Sequence, residues 1–248
     1  MYRAIGSRLA VAFAVALTAG ACSQETAQSE AKEGGNEMGV AQTSMGGDVV
    51  GAVEYTLVLK SSWTKDNHPV EYPEAHAISG PHFSGLIGAS HNASYTLFAE
   101  GATPTPGLER LSEEGKHTPL DAEIRAAIAA GSASTLFSTG GLRDFTDSLV
   151  TTVRVDPQHP FVSLVAMIAP SPDWFAGVSN VNLMENGQWA ASRTLELRAY
   201  DSGGDDGTTY KAADKDTNPK KPTMPAMTPH FVVNGKAVPV ATVTLTRK

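Results

Sequence analysis

Runs of alternating apolar and polar residues constrain this chain to a fold built from short β-strands. Apolar side chains occupy every second position of residues 53–59 and of residues 194–200, a period of two that turns one strand face toward a core. Residues 149–155 behave similarly, and residues 238–245 predict a last strand. Residues 161–168 are more continuously apolar, as expected of a strand in the middle of the core. The sequence therefore predicts an all-β protein, an antiparallel β-sandwich.

One segment has a helical period instead. Leu120, Ile124 and Ile128 recur at every fourth residue, which predicts a short helix with one apolar face. Thr118 is expected to cap the start of this helix, and Gly131 is expected to end it. The fold should therefore hold one or two short helices beside its strands.

Three further segments carry local predictions. A second short helical turn is expected near residues 181–185. Residues 211–228 are polar and contain prolines, and we expect a long loop there, a kind of segment that often carries function. Asn234-Gly235 is typical of a tight turn before the last strand.

Two acidic loops follow predicted strands near the C-terminal end of the chain. Residues 169–175 read APSPDWF, and residues 200–210 read YDSGGDDGTTY. Each loop places carboxylates beside Pro or Gly residues that shape a turn. Carboxylates held in this way suit a hard cation such as Ca2+, which takes several oxygen ligands. Asp and Gly are also common in ordinary turns, and composition alone does not decide between the two interpretations.

The start of the chain has the features of an exported lipoprotein. A positively charged stretch precedes a short apolar run at residues 9–17, about half the length needed to span a bilayer. Residues 19–22, AGAC, resemble a bacterial lipobox, and Cys22 is the only cysteine. We expect residues 1–21 to be a lipoprotein signal peptide and Cys22 to be lipidated. The alternative is an ordinary signal peptide cut nearby, which would leave a free thiol.

The segment after the cysteine bears on location and domain organisation. Ser23, rather than Asp, follows Cys22, a pattern that resembles the signal for sorting to the outer membrane. Which side of that membrane the protein would face is left open. Residues 22–50 have no apolar period and cannot offset the entropy of ordering, so we expect a disordered tether. Residues 51–248 are long enough for one domain with a substantial core.

The charge of the chain bears on its partners. The formal net charge is −7, and loss of Arg3 and Arg8 with the signal peptide would remove two positive charges and give −9. An acidic protein repels the phosphate backbone, so no nucleic acid partner is expected. The balance is compatible with cation binding, although solubility also explains it.

Several motifs fall together in one order. Residues 81–92 read PHFSGLIGASHN and are followed by YTLF at residues 95–98. PSPDWF at residues 170–175 then precedes the YDSGGDDGTTY loop at residues 200–210. Together they resemble the spondin N-terminal domain, the module of F-spondin and mindin, whose own segment reads H(W/F)S-x-(I/L)-(I/V)-G-x-SH. The resemblance covers the chain from about residue 53 to residue 246.

This resemblance implies a C2-like antiparallel sandwich with Ca2+ at one end. The metal carboxylates of the family correspond here to Asp173, Asp201 and Asp205. Asp206 stands where the family usually has Ser, and we expect it to face solvent rather than to add charge to the site. The animal members carry disulfides that this chain has no cysteines to form, so packing, alone or with a metal, must hold the fold.

The resemblance implies a non-enzymatic role in adhesion, or in binding a protein or glycan ligand. Animal relatives act in the extracellular matrix, and a bacterial lipoprotein anchored to a membrane need not share their partners. A structural envelope lipoprotein that calcium only stabilises is a further hypothesis.

A hydrolase of the envelope is the alternative from another class. It would use His91 with Ser90 or Ser171 as nucleophile and Asp173 as the orienting acid, or a bound metal. The sequence contains no G-x-S-x-G elbow, no H-E-x-x-H spacing and no phosphate-binding G-x-x-x-x-G-K-[ST] loop. A buried structural histidine is therefore the simpler interpretation of His91.

Overall fold

The computed structural model describes residues 50–74, 80–141 and 148–248. The predicted signal peptide, the predicted lipidation site Cys22 and the predicted tether up to residue 49 lie outside the described residues. Within the part of the chain that is described, no helix is long and apolar enough to cross a membrane.

Antiparallel strands make up most of the described structure. In chain order they are β1 (Val53–Ser61), β2 (His82–Phe83), β3 (Ile87–His91), β4 (Ala133–Ser138), β5 (Ser148–Val155), β6 (Phe161–Ala169), β7 (Trp174–Asn182), β8 (Met184–Glu185), β9 (Gln188–Trp189), β10 (Ser192–Asp201), β11 (Met224–Pro225), β12 (Val232–Val233), β13 (Lys236–Ala237) and β14 (Ala241–Arg247). Two helices, α1 (Pro106–Glu114) and α2 (Leu120–Ala129), lie between β3 and β4.

The main sheet has the order β4-β3-β6-β7-β10-β14-β1-β5, with β2 added beside β6 and β11 beside β10. Its two end strands, β4 and β5, contact each other. A hydrogen bond from Ser134 to the Asp156 carboxylate, 3.0 Å long, joins these two ends. The sheet therefore curls almost closed into a sandwich-like fold, which confirms the predicted all-β class.

The strand predictions hold because the apolar period reports burial correctly. Tyr55, Leu57 and Leu59 of β1 are fully buried, while their neighbours face outward. Strand β6 is buried on both faces over almost all its length, as its continuous apolar sequence predicts. The last strand begins at Ala241 rather than at residue 238, because residues 238–240 form an irregular connection between β13 and β14.

The core has two parts, one on each side of the central strands. Residues of β1, β6, β10 and β14 fill the interior of the curled sheet. On the other face, α1 and α2 pack against β3, β6 and β7. Leu108 and Leu111 of α1 and Leu120 and Ile124 of α2 are the buried helix residues of this second part.

Helix α1 was missing from the sequence prediction. The Thr105 hydroxyl accepts a hydrogen bond from the Leu108 N–H at 3.1 Å, and Pro106 occupies the first turn. Gly115 ends the helix with φ of 66° and donates its N–H to the carbonyl of Leu111. These are ordinary start and stop signals.

Two local predictions are wrong and two are confirmed. Helix α2 starts after Pro119 without a side-chain cap, so Thr118 is not the predicted cap. Residues 181–185 form the end of β7 and the whole of β8 rather than a helical turn, because they pair with neighbouring strands. Gly131 lies just past α2 with φ of 75°. Asn234 and Gly235 join β12 to β13 with φ of 52° and 76°, as a tight hairpin turn requires.

Candidate functional site

Two of the predicted metal-binding aspartates meet because their strands are neighbours. Strands β7 and β10 pair antiparallel, with Asp201 opposite Trp174. Asp173 directly precedes β7, so both carboxylates lie at the same end of the sheet. The N–H of Ser202 donates to the main-chain carbonyl of Asp173 at 3.2 Å and ties the two loops together.

The carboxylate of Asp173 is completely buried, and its two oxygens have different surroundings. Oδ2 accepts hydrogen bonds from the Ser202 hydroxyl at 2.9 Å, the Gly204 N–H at 2.8 Å and the Asp205 N–H at 3.2 Å. Oδ1 has no hydrogen-bond partner among the described residues. Burying a carboxylate oxygen without a partner costs free energy. A bound cation would offset that cost.

The carboxylate of Asp205 organises the second loop. Its Oδ1 accepts the Gly207 N–H at 2.6 Å, and its Oδ2 accepts the Lys215 N–H at 2.5 Å. The side chain is 5% exposed. Each carboxylate oxygen can accept more than one bond, so these contacts fix the loop and still leave capacity for a cation.

The pKa values of Asp173 and Asp201 are both raised. Burial raises the pKa of Asp173 despite the hydrogen bonds that oppose the shift. Burial and the neighbouring Asp173 charge raise the pKa of Asp201 to about 6. The two carboxylates therefore repel each other, an arrangement common at functional sites.

A further carboxylate at this end of the sheet, Glu113 of α1, is not predicted from the sequence. A methyl group placed on Gly204 would lie 2.6 Å from Glu113 Oε1, so this side chain reaches the second acidic loop. Burial and the adjacent Glu109 raise the pKa of Glu113 to about 7, and Asp173 and Asp205 add to the shift. The four-residue spacing of the two glutamates puts them on one helix face, a signal that depends on recognising α1 first.

A lysine from the long loop lies within this acidic cluster. Lys220 Nζ is 2.6 Å from Glu109 Oε1 and 3.2 Å from the carbonyl oxygen of Gly204, and it also pairs with Asp216. Its ammonium offsets part of the negative charge next to Glu113. The predicted long loop thus contributes a cation to the site.

Asp206 is directed to other partners. Its carboxylate lies 2.5 Å from Lys221 Nζ and 3.6 Å from Lys215 Nζ, and it accepts a hydrogen bond from Thr217 at 2.9 Å. The bond with Lys221 lowers the pKa of Asp206. This aspartate therefore holds the edge of the loop and makes no contact with Asp173.

The described residues contain no group of three or more His, Cys, Asp or Glu side chains arranged closely enough to hold a metal ion. The chemistry of the cluster nevertheless fits a hard cation. Its donors are carboxylate and carbonyl oxygens, and Asp173 Oδ1 has no described partner. The assignment of Asp173, Asp201 and Asp205 as calcium ligands stays a prediction.

His91, the residue of the hydrolase alternative, is fully buried. Its Nδ1 lies 2.8 Å from the carbonyl of Asn92 and its Nε2 lies 2.8 Å from the Ser163 hydroxyl, which is buried as well. The Ser90 and Ser171 hydroxyls instead accept backbone N–H groups. Burial lowers the pKa of His91, so the neutral ring serves to join neighbouring strands. No substrate reaches such a pair without local unfolding.

Fold and site together define an antiparallel sandwich-like domain with an acidic cluster at one sheet end. The spondin N-terminal family model, Spondin_N, matches residues 53–236. The chain belongs to the spondin N-terminal domain family.

Three relatives illustrate the similarity. Spondin-2 of Homo sapiens is 29% identical over 224 residues, covering 85% of this chain and 67% of that protein. Spondin-2 of Rattus norvegicus is 29% identical over 203 residues, covering 78% and 61%. Spondin-1 of Xenopus laevis is 26% identical over 226 residues, covering 87% and 27%. The chain therefore spans only part of each of these relatives.

The raised pKa values predict how stability depends on pH without metal. A carboxyl group with a raised folded-state pKa binds more protons when folded, so the free energy of unfolding falls as the pH rises through that value. For Asp201 the fall lies between its unfolded pKa of about 3.9 and its folded pKa of about 6. In EDTA, urea unfolding should therefore give Asp201→Asn a higher free energy of unfolding than wild type at pH 8. Near pH 4 this difference should disappear.

Asp206→Asn is the matched control, because its folded pKa is lowered rather than raised. This variant should lose stability relative to wild type at pH 8, the opposite sign. An Asp201→Asn difference that is the same at both pH values would contradict the raised pKa of Asp201 in the folded protein.

Proposed function

We propose that this chain is a calcium-binding, non-enzymatic domain of the cell envelope that serves in adhesion or in binding a protein or glycan ligand. The observation that carries the proposal is the buried Asp173 carboxylate, with one oxygen held by three donors and the other without a described partner. Membership of the spondin N-terminal family supports the non-enzymatic role.

The charge balance of the cluster favours a divalent cation. Asp173, Asp201, Asp205 and Glu113 approach the same end of the sheet, and three of them have raised or mutually coupled pKa values. Lys220 and Lys221 supply positive charge beside them. Ca2+ would offset the remaining repulsion and complete its six to eight oxygen ligands with backbone carbonyls and water.

Calcium at this place would fix the shape of the loop surface. Segment 203–206 pairs with the long loop through main-chain bonds of Gly203 with Lys221, Gly204 with Thr217 and Asp206 with Lys215. The second acidic loop and the long loop are therefore both held to the Asp173 cluster. A protein or glycan ligand bound there would depend on calcium.

Thermal unfolding of the purified chain in calcium, magnesium and EDTA tests the metal site. Calcium that binds only the folded state raises stability by about 2.7 kcal/mol at a hundred times its dissociation constant. We expect a calcium-specific rise in the melting temperature that Asp173→Asn, Asp201→Asn and Asp205→Asn each weaken or abolish.

Asp206→Asn is the control, because its carboxylate contacts lysines and not Asp173. It should keep a calcium-specific rise larger than that of any of the three proposed ligand variants. No calcium-specific shift in the wild type, or equal responses in all four variants, would remove the calcium part of the proposal.

Lys220 should weaken calcium binding because its ammonium competes for the same negative charge. Removing that charge with Lys220→Gln should raise calcium affinity severalfold, measured by isothermal titration calorimetry. Lys236→Gln, in the β12–β13 hairpin, removes the same charge elsewhere and should leave affinity nearly unchanged. Unchanged or lower affinity in Lys220→Gln would mean that Lys220 only braces the loop.

The envelope location rests on the predicted lipid anchor at Cys22. Expression in a Gram-negative host should place the wild-type chain in the membrane fraction, with the outer membrane as the expected site. Cys22→Ser should release it, because one lost acylation site removes the whole anchor. Retention of Cys22→Ser in the membrane fraction, or a soluble wild type, would contradict the anchor.

A further inference from the structure

A solvent-open cleft of about 580 Å3 lies at the junction of α1 and α2, beside the end of β4. Its volume falls within the range of about 300–1,000 Å3 typical of small-molecule sites. Gly85, Arg110, Lys116, Thr118, Thr139 and Gly140 are among the residues that line it. None of the lining residues has a large apolar side chain, so the cleft suits a polar ligand.

Two basic side chains line the cleft, and both pair with Glu114. Arg110 Nε lies 3.5 Å from Glu114 Oε1, and Lys116 Nζ lies 2.5 Å from Glu114 Oε2. Two cations thus share one carboxylate. About half of each basic side chain is exposed, 46% for Arg110 and 58% for Lys116. Both can therefore contact a bound anion.

Glycines shape the floor and the mouth of the cleft. A Cβ atom on Gly85 would lie 2.1 Å from the carbonyl oxygen of Thr139 and 3.1 Å from His117 Cε1, so only glycine lets these groups close the floor. His117 Nε2 then donates to the Gly85 carbonyl at 2.9 Å, which fixes the ring. At Gly140 no atom of the described residues lies within 4 Å of a Cβ position, and a ligand can approach the backbone there.

Hydroxyl groups lie on the same walls. Thr118 is exposed and makes no cap for α2, whose first turn has no side-chain cap. Thr139 accepts the Leu86 N–H at 3.1 Å, which orients its hydroxyl at the edge of the floor. Threonine hydroxyls and open glycine backbone are suited to hydrogen bonding with sugar hydroxyls.

We propose that this cleft binds an acidic saccharide, whose carboxylate or sulfate group takes the place of Glu114 as the anion between Arg110 and Lys116. The charge pair selects the anion, and the hydroxyl-bearing and glycine walls contact the sugar. The volume far exceeds that of a lone oxyanion. This site is separate from the Asp173 cluster, so binding goes beyond the calcium-dependent function and does not require calcium.

Isothermal titration calorimetry of the purified chain tests this site, with a sulfated disaccharide, a uronic-acid disaccharide, a neutral disaccharide and inorganic sulfate. At least one acidic disaccharide should bind equally well in calcium and in EDTA. The neutral disaccharide and sulfate should bind at least tenfold more weakly. Lys116→Glu should weaken acidic disaccharide binding at least tenfold, and Arg110→Gln should weaken it as well.

Lys236→Glu is the matched control, because it changes the net charge equally on an exposed hairpin residue. It should bind within twofold of wild type, and circular dichroism should show that every variant is folded. Absence of acidic disaccharide binding would overturn the proposal. Equal binding of inorganic sulfate would overturn the saccharide assignment, and equal loss in Lys236→Glu would overturn the location. Binding that is lost in EDTA would mean that the ligand binds at the calcium cluster, which would also overturn the location.

Discussion

The buried carboxylate of Asp173 is the group around which the acidic end of this protein is organised. Removing a charge from water costs several kcal/mol unless hydrogen bonds or an opposite charge offset the loss. Three donors, from Ser202, Gly204 and Asp205, converge on one of its oxygens and hold the second acidic loop against the first. That loop then pairs with residues 215–221. A single buried charge thereby orders segments that are distant in sequence.

The curled sheet brings these carboxylates together and holds them in place. Because β7 and β10 are neighbours, Asp173, which directly precedes β7, lies beside Asp201, which ends β10. One face of β6 lies toward the interior of the curled sheet, and α1 packs against its other face. Packing of Leu108 and Leu111 turns the opposite helix face outward, with Glu113 near the second acidic loop and Arg110 at the cleft between α1 and α2. One short helix thus contributes side chains to both places.

The elements predictable from sequence are those whose signal is local. Alternation fixes β1 and β10, and Asn234-Gly235 fixes a turn, since neighbouring residues decide both. Helix α1 is nine residues long with only two leucines in its buried stripe, so its period is too short to read. Glu113 was missed with it. The partners of Asp205 are equally hidden, because Lys215 reaches it through an irregular loop and not a repeating pattern.

A crystal structure grown in calcium, with anomalous diffraction recorded at long wavelength, tests the central claim most directly. The account predicts an anomalous peak at the Asp173 end of the sheet. It should lie about 2.3–2.6 Å from Asp173 Oδ1 and at the same range from an oxygen of Asp201, Asp205 or Glu113. Absence of a peak, with Asp173 Oδ1 instead hydrogen-bonded to water or protein, would contradict it. The acidic end would then be a loop scaffold held by hydrogen bonds and by the ion pairs of Lys220 and Lys221.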